Sequence, residues 1–223
     1  MSKWVYLSYP LSQKTPAYGG GDTIKIRQEK SIEMGNSCNT SYWSLPNHLG
    51  THIDFPRHFV QAGKTSRDYN PDFWIFHSPF ILDISNVEPG IIIEPAAIDM
   101  NTVPENTDML VIKTGFGRLR GKDLYWKNNP GFTPRLPVFL RKRFPHLRVF
   151  GFDSISLSAF AHRETGHKAH EAFLNHPNSI LLLEDMALSA IDHSGKLKQV
   201  IVSPLRVEDA DGSPCTVFAN IVE

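Results

Sequence analysis

Short runs of β-branched and aromatic residues recur along the chain and predict a protein dominated by strands. The predicted strands are WVYLSY (4–9), TIKIRQ (23–28), FILDI (80–84), MLVIKT (109–114), RVFGFD (148–153), SILLLED (179–185) and VIVSPLRV (200–207). The 109–114, 148–153 and 179–185 runs are nearly continuous in apolar residues, which suits strands covered on both faces. The 23–28 run alternates instead, as expected of a half-exposed strand.

Two stretches in the second half carry apolar residues three or four apart, the spacing of an amphipathic helix. They are RLPVFLRKRF (135–144) and TGHKAHEAFLNH (165–176), so strands and helices alternate there. No repeat, low-complexity segment or linker divides the chain. We therefore expect residues 1–223 to form a single domain with a mixed α/β layered fold. Two buried runs end on acidic residues, Asp153 and Glu184–Asp185, and ligands tend to gather where strands end.

Composition and charge narrow the choice of partner. Hydrophobic residues make up 41% of the chain and charged residues 21%, as in an ordinary globular domain. Lys+Arg and Asp+Glu both number 23, so no net charge draws the chain to nucleic acid or anionic lipid. The sequence has no recognisable secretory signal or membrane span, and Cys38 and Cys215 indicate no disulfide framework. We expect a cytoplasmic protein with reduced cysteines, a small-molecule substrate, and neither a nucleic-acid nor a membrane partner.

The densest of the ten histidines lie in HLGTHIDFPRH, residues 48–58. Gly50, the β-branched residues and Pro56 disfavour a helix there and predict a turn or irregular loop on which side chains converge. Three imidazoles and a carboxylate suit Zn²⁺ or a neighbouring divalent ion, and the carboxylate of Asp54 is suited to bridging two ions. The candidate donors are His48, His52, Asp54 and His58.

Two distant residues are further candidates for the coordination sphere. His170 lies in the second helical stretch, and Glu184 lies at the end of a buried strand. Other polar residues near that helix are expected on its solvated side or in its first turn, where a carboxylate is favoured. They are His162, Glu164, His167 and His176. Serine-based catalysis lacks support, because no G-x-S-x-G elbow occurs.

The motif at residues 48–58 resembles that of a known family. HLGTHIDFPRH matches the HxGTHxDxPxH motif of the cyclase family, which includes bacterial kynurenine formamidases and isatin hydrolase. The resemblance extends over most of the chain, to YLSYPLSQKTPAYGGG at the start and to LVIKTGF, GFDSISL, HEAFL, LLLEDMAL and PLRVEDADGSP further on.

The resemblance implies a swivelling β/β/α layered fold with a mixed sheet and a site for one or two divalent ions, zinc first and manganese second. His48, His52 and Asp54 match the family's ligands for the first ion. His170 and Glu184 match residues that complete a second site. His58 matches a position assigned to proton transfer or to contact with the second metal, and both roles stay open. Relatives suggest a homodimer or a larger homo-oligomer.

These observations predict a metal-dependent hydrolase that opens an amide, lactam or lactone bond of a small substrate, similar to an arylformamidase. A divalent ion activates water and polarises a carbonyl, so no protein nucleophile is needed. His58 then serves as the base that takes a proton and returns it to the leaving group. One or two nearby aromatic residues are expected to face a planar substrate, and the candidates are Trp43, Phe55, Phe59, Tyr69, Phe73 and Trp74.

Two alternatives belong to other functional classes. The first takes His52, Asp54 and His170 as the two-His-one-carboxylate triad of a non-haem iron oxygenase, which leaves His48 and His58 without a role. The second is a metal-stabilised binding protein without turnover, which needs the ligands but no proton-transfer group such as His58.

Overall fold

The computed structural model describes residues 2–191 and 197–222. The strands are β1 (Ser2–Tyr6), β2 (Lys25–Lys30), β3 (Thr40–Ser44), β4 (His52–Asp54), β5 (Ile75–Phe76), β6 (Pro79–Asp83), β7 (Ile92–Ile93), β8 (Met109–Lys113), β9 (Gly131–Phe132), β10 (Val149–Phe152), β11 (Leu181–Glu184), β12 (Leu197–Pro204) and β13 (Gly212–Val222). The α-helices are α1 (Leu124–Lys127), α2 (Arg135–Arg143) and α3 (Arg163–Leu174). Short 3₁₀ turns, such as Pro56–His58, connect many of these elements.

One large mixed sheet organises the molecule. Its strands follow the order β5-β12-β13-β4-β11-β10-β8-β6, and β1 pairs with β13. The section from β6 through β8 and β10 to β11 is parallel, whereas β4 runs antiparallel to both of its neighbours, β11 and β13. Two smaller sheets pair β2 with β3 and β7 with β9. The expected mixed α/β fold is therefore confirmed.

The core lies against the middle of this sheet. β10 and β11 are buried along their whole length, as expected for their continuous apolar runs. Helix α3 contacts β11 and α2, and its buried face carries Gly166, Ala169, His170 and Phe173, which repeat at helical spacing. β4 is inserted between β11 and β13, and α3 packs against the neighbouring strand β11.

All the predicted strands and both predicted helices are present with shifted ends. The elements that were not predicted are β3, β4, β5, β7, β9, β13 and α1. The expectation of a turn or irregular loop over residues 48–58 is wrong at its centre, where β4 forms. Cys38 and Cys215 are free thiols. Within the described residues, no helix has the length and apolar content needed to cross a bilayer.

Candidate metal centre

The short strand β4 places two candidate donors on one face of the sheet. Successive side chains of a strand point to opposite faces, so His52 and Asp54 share one face and Ile53 points into the core on the other. Gly50 precedes the strand with a left-handed φ of 68°, a conformation that glycine adopts without strain. Pro56 opens the 3₁₀ turn after the strand and carries the chain towards His58. Gly50, β4 and Pro56 together set the path of the chain through the motif.

Neighbouring elements bring two further donors to the same place. Glu184 lies directly opposite His52 in the antiparallel pair of β4 and β11, and His170 reaches the same point from α3. His52 Nε2 lies 3.4 Å from Asp54 Oδ1 and 3.5 Å from Glu184 Oε2. His170 Nε2 lies 3.6 Å from Asp54 Oδ2 and 3.4 Å from Glu184 Oε1. The structure therefore gathers His170 and Glu184 with the motif residues, as predicted.

The outer ring nitrogens of both inner histidines are held by backbone carbonyls. His52 Nδ1 donates to Gly50 O over 2.8 Å, and His170 Nδ1 donates to Gly166 O over 2.9 Å. Because a carbonyl oxygen only accepts, Nδ1 carries the proton in each neutral ring and Nε2 presents a lone pair. Two lone pairs and two carboxylates then face one another in a buried space.

This arrangement fits a divalent cation. The separations of 3.4–3.6 Å exceed the usual length of an N–H···O hydrogen bond. They are close to the ~3.3 Å that separates two donors on one ion with bonds of ~2.0–2.1 Å. His52 and His170 face different oxygens of each carboxylate. Without a cation or added protons, the lone pairs and the carboxylates would repel each other. Nitrogen and oxygen donors of this kind are the ligands of Zn²⁺ and Mn²⁺ sites.

A more exposed group lies beside these inner donors. His48 Nδ1 is 2.9 Å from Asp54 Oδ1, and the rings of His48 and His58 stack with their centroids 4.0 Å apart. The side chains of His48 and His58 are 24% and 30% exposed, whereas those of His52, Asp54, His170 and Glu184 are at most 6% exposed. Ligand atoms of His48, Asp54 and His58 lie within 4.8 Å of one another, as do those of His52, Asp54 and Glu184. Asp54 thus belongs to two possible donor groups.

Asp211 completes the exposed group and was missed in the sequence. Its Oδ2 is 3.0 Å from both His48 Nε2 and His58 Nδ1. Asp211 directly precedes β13, which pairs with β4 so that Gly212 lies opposite Asp54. A Cβ at Gly212 would clash with the ring of His48, so glycine is needed for this close approach. Only the pairing of β13 with β4 could have revealed Asp211, and that pairing has no local signal in the sequence.

The other acidic residues at strand ends have structural partners of their own. Asp153 accepts hydrogen bonds from the backbone and hydroxyl of Thr114. Asp185 pairs with Arg120 over 2.7 Å and accepts a hydrogen bond from Tyr125. Glu184 is therefore the acidic residue that these strand ends contribute to the donor set.

Charge coupling in the metal-free site favours protonated imidazoles beside an ionised Asp54. Burial opposes the charge on His48, but hydrogen bonds and charges from Asp54 and Asp211 outweigh it and raise the pKa of His48 to about 9. Burial also opposes ionisation of Asp54, yet a hydrogen bond from His48 and the charges of His48 and His52 hold its pKa well below the usual range. For His58, burial is the largest cause and lowers the pKa. His48 is thus charged and His58 neutral near pH 7.

Metal binding is therefore expected to release a proton from His48. The raised pKa of His48 stabilises the metal-free fold fully below pH 6.5, and this contribution is lost as the pH rises through about 9. An ion bound by His48 must displace the same proton, so zinc affinity should rise with pH up to about 9. Competition with a chelator of known pH dependence measures the zinc affinity at each pH.

Two variants test whether His48 carries this linkage. His48→Gln should flatten the pH dependence between pH 7 and 9. His146→Gln, which removes an exposed imidazole remote from the donors, should keep it. Equal slopes in His48→Gln and the wild type would contradict the assignment.

The donors form one wall of a cavity of about 300 Å³. Its apolar lining includes Pro16, Tyr18, Phe59 and Ile155. Phe59 stacks on His170 with centroids 4.8 Å apart and is the one motif-proximal aromatic residue of the six candidates that lines this cavity. Phe55 is buried in the core, Trp43 is exposed on β3, and Tyr69, Phe73 and Trp74 pack against the core.

The remaining polar residues near α3 lie at the solvated surface or in the first turn of the helix, as predicted. All are exposed, and Glu164 pairs with Lys168 in the first turns of the helix. They are His162, Glu164, His167 and His176. The iron-oxygenase alternative is weakened, because Glu184 adds a second carboxylate to His52, Asp54 and His170, and because His170 lies on a helix instead of a strand of a β-barrel.

The chain has relatives among known proteins. A family model described as "Putative cyclase" matches residues 5–159. The kynurenine formamidase of Bacillus anthracis is 29% identical over 218 residues, covering 96% of this chain and 95% of that protein. The kynurenine formamidase of Geobacillus thermodenitrificans (strain NG80-2) is 26% identical over 219 residues with the same coverage.

Solved structures share the fold. Isatin hydrolase A from Labrenzia aggregata, bound to benzyl benzoate, superposes with a TM-score of 0.81 at 21% identity, covering 100% of this chain and 94% of that chain. A predicted metal-dependent hydrolase from Bacillus stearothermophilus superposes with a TM-score of 0.77 at 17% identity, covering 99% and 98%.

Proposed function

Because this chain belongs to the cyclase family, we propose that it is a metal-dependent hydrolase of a C–N bond other than a peptide bond. The observation that carries the proposal is the convergence of four buried donors, His52, Asp54, His170 and Glu184, on one wall of a cavity. The names of the formamidase relatives support an amide of a small aromatic molecule as the substrate. A lactam contains such a C–N bond, and a lactone, in which a C–O bond breaks beside a similar carbonyl, is the alternative substrate.

The side chains divide the work of such a reaction. A bound divalent ion supplies an activated water and polarises the carbonyl that the water attacks. His48, His52, Asp54, His170 and Glu184 would hold the ion or ions. His58 lies at the more exposed side, where its neutral ring can take a proton and return it to the leaving nitrogen or oxygen.

The volume and lining of the cavity support a small substrate with apolar surface. A volume of about 300 Å³ lies at the lower end of the range for small-molecule sites. Phe59 and Ile155 offer apolar surface beside the donors, and Tyr18 adds an aromatic ring at the same cavity. One of the six aromatic candidates therefore has the position expected of a substrate contact.

We propose zinc ahead of manganese as the ion, because imidazole nitrogens suit zinc and manganese favours oxygen ligands. Asp54 belongs to both donor groups, which supports two ions bridged by its carboxylate, with one ion as the alternative. Assembly into a homodimer or a larger homo-oligomer and a cytoplasmic location stay predictions.

Metal removal and replacement test the function directly. The purified protein is expected to contain a divalent ion, to lose hydrolysis after chelation and to regain it with zinc or manganese. N-formylkynurenine, isatin and a simple lactone serve as substrates. His52→Ala, which removes an inner donor, is expected to lose both metal and hydrolysis. A protein without a divalent ion, whose activity is unchanged by His52→Ala, would refute the proposal.

A further inference from the structure

We propose that Asp211 is a positioning residue whose carboxylate fixes the ring orientations of His48 and His58. The inference deepens the proposed function, and the part that concerns His58 rests on that function. The part that concerns His48 needs only that the site binds a metal.

A single oxygen of Asp211 contacts both rings. Oδ2 lies 3.0 Å from His48 Nε2 and 3.0 Å from His58 Nδ1. The two rings stack at an interplanar angle of 29°, so their outer nitrogens reach the same carboxylate together. Ionised carboxylate oxygens only accept hydrogen bonds, so both of these nitrogens carry protons.

The other ring nitrogens, His48 Nδ1 and His58 Nε2, are therefore the ones that can act at the site. His48 Nδ1 faces Asp54 at 2.9 Å, and it can serve as a metal donor once its proton is lost. In His58, the neutral ring keeps its lone pair on Nε2. Histidines that bind metal almost always donate the other ring N–H to a carboxylate or a carbonyl. His52 and His170 use backbone carbonyls for this purpose, whereas His48 uses the side chain of Asp211.

Asp211 is itself held in place. Its Oδ1 accepts a hydrogen bond of 2.6 Å from Asn47 Nδ2, and its backbone carbonyl accepts one of 2.9 Å from Phe55 N. The carboxylate therefore approaches the two rings from a segment that is hydrogen-bonded to Asn47, directly before the motif, and to Phe55 within it. Its ion-pair partners are His48 and His58, so its charge is directed at the site.

Asp211→Asn tests the His48 part through zinc affinity. The variant keeps the shape of the side chain and removes the charge, and it should weaken zinc binding about 10- to 100-fold in chelator competition. Glu208→Gln is the matched control, because Glu208 lies in the same segment but pairs with exposed Arg67. Asp211→Glu should recover part of the lost affinity. Affinities within about twofold of wild type in Asp211→Asn would overturn this part.

The His58 part is tested on the wild-type protein, with one variant used only to assign the signal. Nitrogen-15 NMR of the zinc-loaded wild-type protein should show His58 protonated at Nδ1 and unprotonated at Nε2. His58→Gln identifies the resonance. The opposite tautomer would overturn the assignment, whether or not any substrate is hydrolysed. A wild-type protein that binds zinc and has the expected tautomer, but hydrolyses none of the three substrates, would instead count against the proposed function.

Discussion

Replacing Asp54 by Asn is expected to remove most of the bound metal and to reduce hydrolysis by ~10³-fold or more, because residues that act as a unit cost this much when one is lost. The carboxylate of Asp54 lies 2.9 Å from His48, 3.4 Å from His52 and 3.6 Å from His170. No other described residue belongs to both of the donor groups that can hold an ion. Metal content after gel filtration and kcat/KM with N-formylkynurenine or isatin measure the two effects.

The size of the effect follows from the position of Asp54 as well as from its charge. It is 1% exposed, so water cannot take over as a ligand without a rearrangement of the strand. Asp72→Asn is the matched control, since Asp72 is exposed on a 3₁₀ turn remote from the donors. Wild-type metal content together with wild-type turnover in Asp54→Asn would show that the donors do not share this carboxylate.

The parts of the fold that the sequence could predict are those with local patterns. β8, β10 and β11 are continuous apolar runs, and α3 repeats its apolar residues at helical spacing. β4 could not be recognised in this way, because it is three residues long and lies between Gly50 and Pro56. It exists because Leu182–Glu184 and Gly212–Pro214 pair with it on either side, and these segments lie more than 120 residues away.

The residues of the candidate site also fall into those that the sequence could reveal and one that only the structure reveals. The clustering of polar residues in the motif identifies His48, His52, Asp54 and His58. The resemblance to the family adds His170 and Glu184 to them. The distances between these residues agree with that selection, although their individual roles stay predictions. Asp211 has no comparable signal, because an aspartate directly before glycine, as in EDADGSP, is typical of a turn. Only the pairing of β13 with β4 brings it to the two exposed histidines.

His58 separates catalysis from mere metal binding. His58→Gln is expected to lower kcat by about 10² to 10⁴ while the inner donors keep their metal, because loss of a general base costs roughly this much. Glutamine can still donate a hydrogen bond to Asp211 but cannot accept and release a proton at neutral pH. Stopped-flow or steady-state kcat, measured beside metal content, gives the result.

The pH profile makes the test specific. Burial lowers the pKa of His58, so the neutral base form is present at pH 7 and is lost as the pH falls through that lowered value. The wild-type rate should therefore fall on the acid side, and His58→Gln should lack that limb at saturating metal. His167→Gln, which removes an exposed imidazole on α3 that also contacts Phe59, is the matched control and should keep the wild-type profile. If His58→Gln instead loses metal in proportion to activity, His58 is a ligand of a second ion. If both metal and turnover are unchanged, proton transfer at this site belongs to another group.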